Sequence, residues 1–453
     1  MRLRALAPLL VLCACAAPVA AAGNWSFSGD WRLRGEQLRD SFRLLAPASD
    51  TLWLSRLQAS LDYRGPQWQA GMEVQDSRAW SAERLTPLGT DDVNALEPLQ
   101  LWLGRRWRLR GGTLDARAGR MSLDFGSRRL LARNNFRNTS NALEGALLRW
   151  EGPGSRAQLL YSRPLQRRPG ALQRERLRDN DFRLDRGNGD ERLWLASSGV
   201  AKGWGRRELD LEVYAMGARR RGFPGGAAPG RDLSTAGARL LWRTPALRLE
   251  LDGAWQWGES QAQTTRGLAW QAHRAAFAHA GIEWYPGGGP EGLSLQGFWD
   301  YASGDSDPGD GRQERFDRLY GARAFDLGPS GIFGVAIRSN LRSSGLRLRW
   351  QSRALEARLS YRRLRLDSAR DALVSSARRD LSGASGRDVG DLLDARLRWP
   401  LPVARPALRL ELGAAWLRKG RFFRGSAAAG AGNPPQPAPA DSSYLYTQLL
   451  WSF

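Results

Sequence analysis

Apolar and polar residues alternate along most of this chain. Trp25, Phe27, Trp31 and Leu33 share one parity, and Ser26, Ser28, Asp30, Arg32 and Arg34 share the other. The period recurs where Trp53, Leu57, Ala59, Leu61 and Tyr63 oppose Arg56, Gln58, Ser60, Asp62 and Arg64. It returns in Leu247, Leu249, Leu251 and Trp255 against Arg248, Glu250, Asp252 and Gln256, and in Leu393, Ala395, Leu397 and Trp399 against Asp394, Arg396 and Arg398. Successive side chains of a strand point to opposite faces, so each run predicts a strand with one apolar and one polar face.

A soluble sandwich with one wet face alternates in the same way. Three features point to a membrane instead. The runs are about ten residues long, enough to cross a bilayer at a tilt. Trp and Tyr gather near run ends, as at Trp68, Trp80, Trp242, Trp284, Trp350 and Trp416, where interfacial girdles sit. The last run, Tyr444 to Phe453, places Leu445, Leu449, Trp451 and Phe453 on one parity. It resembles the terminal strand by which outer-membrane barrels are recognised for insertion.

Eighteen alternating runs, from 24–36 to 442–453, predict an all-β chain: a single transmembrane, antiparallel, up-and-down β-barrel with long extracellular loops, wide enough for an aqueous lumen. Gly65-Pro66 and Pro153-Gly154 read as tight periplasmic turns. Two of the runs fall near 246–258 and 274–286. The stretches 164–190, 304–342, 367–388 and 419–441 read as extracellular or lumen-folding loops. Residues 425–440, rich in Gly, Ala and Pro, are expected to be mobile. The loop 304–342 carries Phe316, Phe325, Ile332 and Phe333, so part of it is expected to fold and pack.

The first 22 residues read as a signal peptide: Arg2 and Arg4, an apolar stretch from Leu6 to Ala17, and a small-residue cleavage site at Ala20-Ala21-Ala22. A lipoprotein reading with Cys15 as acceptor fits less well, because Cys13 is unusual in such a box. With the leader removed, residues 23–453 form one domain that contains no cysteine, which excludes disulfides and thiolate sites. No later segment is apolar enough for a membrane-spanning helix. A mean hydropathy of −0.48 is what a barrel with a polar interior gives.

The formal charge is +22, and +20 without the two leader arginines. Of 68 basic residues only Lys202 and Lys419 are lysine. An arginine facing lipid at mid-depth costs roughly 2–4 kcal/mol, so most strand arginines are expected to face the lumen. Parity agrees for Arg32, Arg34, Arg56, Arg117, Arg239, Arg347, Arg349, Arg358, Arg362, Arg396, Arg398 and Arg409. Interleaved acids such as Glu250, Asp300, Glu356 and Glu411 can pair with them across strands, making a rigid wet wall. The unpaired surplus would draw in anions. Nucleic acid, the other partner of a basic chain, has little access to an exported barrel.

Several local motifs resemble the alginate export porin family. Residues Glu73-Val-Gln-Asp-Ser-Arg78-Ala-Trp80, Gly119-Arg120 through Gly126 to Arg129-Leu130, and Phe316-Asp-Arg-Leu-Tyr-Gly321 carry the resemblance. Leu327 to Ile332, Arg338-Ser-Asn340 and the block from Asp391 to Phe453 extend it across the mature chain. The segment Asn138 to Gly145 departs from the family pattern, with Glu144 in place of an Asp and no Arg. The resemblance implies a monomeric barrel in the bacterial outer membrane, with an arginine-lined, anion-selective constriction passing a polyuronate or related acidic saccharide. Carried over by position, Arg56, Glu73, Asp76, Arg78, Arg120 and Arg129 are candidate substrate-binding residues. Parity adds Arg349 and Arg396. Arg120→Glu is accordingly expected to lower anion preference.

The implied mechanism is passive. Guanidinium groups pair with carboxylates through forked hydrogen bonds, and many weak sites let a chain move on. No phosphate-binding loop is present, so any drive comes from the gradient or from periplasmic export partners. No cofactor or metal is expected. Asp305, Asp307 and Asp310 offer oxygens for Ca²⁺ but lack EF-hand spacing. Two alternatives remain: a barrel hydrolase using His273 or His279, the only histidines, and a structural barrel plugged by loop 304–342.

Overall fold

The computed structural model describes residues 23–453 apart from 45, 82, 84, 85, 87, 223–227, 265–266, 403–406 and 427–439. The predicted leader and most of the stretch 425–440 lie outside the described residues. Twenty strands follow in order. The first half comprises β1 (Asn24–Arg39), β2 (Asp50–Arg64), β3 (Trp68–Ser81), β4 (Asn94–Leu109), β5 (Gly112–Met121), β6 (Leu143–Gly152), β7 (Ser155–Gln166), β8 (Arg186–Gly187), β9 (Glu191–Trp204) and β10 (Arg207–Arg220). The second comprises β11 (Arg231–Arg243), β12 (Leu247–Thr264), β13 (Gly267–Trp284), β14 (Gly292–Ala302), β15 (Arg312–Gln313), β16 (Leu341–Gln351), β17 (Glu356–Arg365), β18 (Asp388–Leu401), β19 (Ala407–Lys419) and β20 (Ser442–Ser452). β8 and β15 are two-residue pieces within loops, and the other eighteen form the wall.

All neighbouring wall strands pair antiparallel, and β1 closes the ring on β20 from Asp30 opposite Ser452 to Arg39 opposite Ser443. At the seam the Gly29 and Phe453 backbones bond reciprocally at 2.8 and 3.0 Å, and the Phe27 and Phe453 rings lie 5.8 Å apart. Closure leaves no unpaired edge, the condition for strands in hydrocarbon. The short turns lie at the end that holds both described termini, the periplasmic end of an outer-membrane barrel, and the long loops at the other. β12 and β13 run beyond the predicted bounds 246–258 and 274–286 and pair continuously up to Thr264 opposite Gly267.

The outer face is apolar across its middle, with Trp53, Leu101, Leu103, Tyr161, Trp255 and Leu346 exposed, and carries charged side chains at its ends. The inner face is divided. Toward the periplasm it carries Arg56, Arg239, Arg349, Arg396 and their partners. Toward the outside the same parity turns apolar: Leu52 and Leu54 precede Arg56, Phe277 precedes His279, Leu392 precedes Asp394, and Leu417 follows Glu411, all four leucines and the Phe buried. Onto this inner lining fold residues 122–142, 303–340 and 366–387. Phe42, Phe316, Phe333, Phe422 and Phe423 are fully buried among them. Burial of each such ring contributes roughly 2–3 kcal/mol, so the extracellular half of the lumen holds a packed core. The expectation that 304–342 would fold and pack is met.

Candidate functional site

Below that core, in the periplasmic half of the barrel, lies a cavity of about 760 Å³. Thirteen arginines and seven carboxylates line it. Its walls are the inner faces of strands on opposite sides of the barrel. On one side Arg358 bonds Asp394 at 2.7 Å, and Arg398 bonds Glu411 at 2.6 Å. Arg396 and Glu356 pair at 2.5 Å, and Arg349 reaches Glu283 at 3.0 Å. These are the cross-strand ladders the alternating charges predicted. The surplus cations have no such partner. Arg347 stacks on Phe298 at 5.2 Å, and Arg409 shows no ion pair among the described residues.

The roof is the two inward loops, fastened around the circumference. Arg32, Arg34 and Arg56 donate to the carbonyls of Asn135, Phe136 and Arg137, with distances between 2.6 and 3.3 Å. Arg362 and Arg347 hold the Asp326 carbonyl at 2.8 and 3.0 Å. Arg231 holds Asp317 at 2.7 Å, and the Ile332 amide donates to Glu36 at 2.8 Å. At the centre Arg129 pairs with Glu250 at 2.7 Å, Asp326 at 3.0 Å and Asp252 at 3.2 Å. Burial opposes the Arg129 charge, but Asp326, Glu250 and Asp252 outweigh it and hold the guanidinium pKa above its ordinary value.

The candidate residues therefore separate. Arg56, Arg129, Arg349 and Arg396 all line the cavity. Glu73 faces inward but is occupied: Arg133 donates to both its oxygens, Nη1 at 2.8 Å. Asp76, Arg78 and Arg120 do not reach the lumen. Asp76 and Arg78 share the parity of exposed Met72 and Trp80 and pair with each other at 2.9 Å. Arg120 lies opposite Leu101, 61% exposed on the outer face, pairs with Glu144 at 2.9 Å and reaches the buried Glu97 carboxylate within the wall, and does not line the cavity. Carry-over by motif put these three in the lumen, and strand parity puts them on the outer wall near the extracellular rim. A residue the sequence reading passed over, Asn138, anchors the roof: its amide donates to the carbonyls of Ser55, Arg78 and Asp92 at 2.8–3.1 Å. Its only sequence signal was its place in the segment that departs from the family pattern.

Both histidines face inward on β13, whose parity they share. His273 Nδ1 meets Ser260 and its Nε2 meets Gln256, each at 3.0 Å, so neither ring nitrogen is free to serve a second group. His279 Nδ1 bonds Asp300 at 2.7 Å. His279, Asp300 and Asp326 offer atoms within 4.8 Å of one another, the geometry of a metal cluster. Arg362 on Asp300, and Arg129 and Arg338 on Asp326, already supply the positive charge an ion would bring. In the outer loop, Asp307 and Asp310 cap local amides.

A family model described as alginate export matches residues 24–433. The chain belongs to that family. No curated relative matches this alginate export chain by sequence. Solved structures share its fold at low identity. The Pseudomonas aeruginosa outer membrane protein OpdK is 13% identical, with 94% of this chain and 99% of that one covered at a TM-score of 0.54. OccK7 (OpdD) of the same organism is 14% identical, covering 96% and 99% at 0.53. OpdK solved with vanillate is 14% identical, covering 94% and 99% at 0.52. Family, closed barrel and fold neighbours agree: this is a bacterial outer-membrane β-barrel of the porin-like, channel-forming kind, and its working parts are those of a transport channel.

Proposed function

We propose that the chain passively conducts an anionic solute, a polyuronate such as alginate or a related acidic saccharide, through its arginine-lined lumen. The observation that carries this reading is the excess of thirteen arginines over seven carboxylates around one cavity. Low-dielectric walls focus that field and raise the local anion concentration at the mouth. The arginines outnumber the carboxylates that they share, so a solute carboxylate can exchange onto a wall guanidinium in place of a protein one. Arg56, Arg129, Arg349 and Arg396 are the proposed contact residues. Asp76, Arg78 and Arg120 are not. The inward loops 122–142 and 303–340 form the barrier that a solute passes. Planar-bilayer recordings test this: an anion-selective current, blocked by oligouronates and untouched by neutral sugars, is expected. Cation selectivity or a permanently silent barrel would reject it.

A second reading is favoured by one observation. Phe136, Phe298 and Phe325 line the cavity beneath arginines, with Arg362 at 4.2 Å from the Phe298 ring centre and Arg128 at 4.6 Å from that of Phe325. A small aromatic carboxylate, of the kind bound by the neighbour solved with vanillate, suits such a lining. Competition between oligouronates and benzoates in the same recordings separates the two.

A further inference from the structure

The outer wall carries a feature that conduction does not use. Across β5, β6 and β9 the outward positions Ala116, Ala118, Ala146 and Ala196 form the floor of a groove of about 710 Å³. Its sides are larger: Leu103 stands opposite Ala118, Tyr161 opposite Ala146, and Leu159 opposite Ala196. These three side chains are exposed, so methyl groups set between rings and isobutyl chains leave a trench in an otherwise even lipid-facing surface.

At the periplasmic foot of the trench sits Arg105, in register with Trp68. Its guanidinium carbon lies 5.4 Å from the ring centres of both Trp68 and Trp107, a cation held between two indoles. No carboxylate among the described residues pairs with it. The nearest candidate by register, Asp115, is taken by Arg106 at 3.2 Å and Arg117 at 2.8 Å, and the Arg105 Nε is buried without a partner. Of the outward arginines in the extracellular half, Arg78, Arg219, Arg342 and Arg418 each have a carboxylate, while Arg163, Arg274 and Arg365 stand exposed with none among the described residues. Arg105 differs from all of these in being clasped by two indoles. A guanidinium at the membrane interface with no counter-charge in the protein is open to a headgroup phosphate.

We propose that this groove binds one glycerophospholipid of the periplasmic leaflet, its phosphate on Arg105 and one acyl chain along the alanine floor. Charge complementarity selects a phosphate at the depth where headgroups lie, and the trench continues from it toward the bilayer centre. The site is on the lipid side of the wall and independent of the lumen.

Detergent-purified, delipidated protein is titrated with phosphatidylglycerol and, separately, with diacylglycerol bearing the same chains, and bound lipid is counted by native mass spectrometry. One phosphatidylglycerol per chain is expected, with diacylglycerol about tenfold weaker and R105Q weakened by about the same factor. Ala118→Trp fills the trench from the lipid side and is expected to abolish the site while the barrel keeps its heat-modifiable migration. Equal affinity for diacylglycerol, undiminished binding in both variants, or a dimer that Ala118→Trp dissolves would overturn the proposal.

Discussion

Arg129, carried by the inward loop 122–142, places its Nη1 2.7 Å from Oε1 of Glu250 on β12. The same loop is held by Arg32 and Arg56 on β1 and β2, so this one ion pair ties a span that crosses the lumen to a second sector of the wall. Removing one member of a buried pair leaves the other uncompensated, at a cost of about 3–5 kcal/mol. Arg129→Ser leaves Asp252 without a cation among the described residues and leaves Glu250 to Arg248 and Arg239, and Asp326 to Arg338. The loop is expected to detach, raising the open fraction in single-channel recordings at least about tenfold, with weaker anion preference. An unchanged open fraction would show that the barrier is fastened elsewhere.

Charge reversal in the cavity gives a second test. Arg349 and Arg396 lie on the cavity wall, and each pairs with a carboxylate that has other partners: Glu283, which also accepts from the Tyr285 and Ser294 hydroxyls, for Arg349, and Glu356, shared with Arg398, for Arg396. The Arg349→Glu, Arg396→Glu double variant is expected to fold and to move the reversal potential in a salt gradient from the anion side toward zero or past it. A reversal potential that stays put in the double variant counts against the arginine-lined lumen as the selectivity element.

Arg120 makes the opposite prediction. Motif resemblance assigned it to the constriction, where Arg120→Glu would reduce anion preference. Its position opposite Leu101 on the outer face, bonded to Glu144, Glu97 and the Asp185 carbonyl, removes it from the ion path. Arg120→Glu is now expected to leave selectivity unaltered and to weaken the barrel, because it adds a fourth carboxylate to Glu97, Glu144 and Asp185. The measurement is the temperature at which the folded band is lost in a heat-modifiability gel. A selectivity change at unaltered stability would restore the lumen assignment.

The same residues show how far the sequence could be read. Period two identified the wall, because a strand between lipid and water has no other economical pattern. It also placed Arg56, Arg349 and Arg396 inside. Parity alone would have turned Asp76 and Arg78 outward, since they sit on the opposite parity from Glu73. The error came from letting a motif override alternation. The apolar lining of the extracellular half was harder to see. Where both faces are buried in apolar surroundings, alternation lapses into consecutive apolar residues, as in Leu52-Trp53-Leu54, Leu392-Leu393 and Trp416-Leu417. Such lapses look like noise in a strand pattern, yet they mark the rows against which the loops pack. The roof contacts themselves were beyond reach. Arg32 and Arg56 bond backbone carbonyls of Asn135 and Arg137, groups every residue possesses, so no side-chain identity announces them.

The loop 303–340 contains a group suited to a test by pH. Asp305 is buried, its Oδ1 has no hydrogen-bond partner, and its amide donates to Asp371 at 3.0 Å. Burial, reinforced by the Asp371 charge, raises its pKa from the ordinary carboxylate value to about 7. A carboxyl whose pKa is higher in the folded than in the unfolded state binds more protons when folded. Its contribution is therefore fully present below the unfolded value and is lost as pH rises through about 7. The loop is expected to hold tightest in mild acid and to loosen between pH 6 and 8, with limited proteolysis of intact, detergent-solubilised protein accelerating by about tenfold over that range. Asp305→Asn, which cannot ionise, is expected to keep the slow rate at both pH values. If the variant accelerates with pH as the wild type does, another group controls the loop.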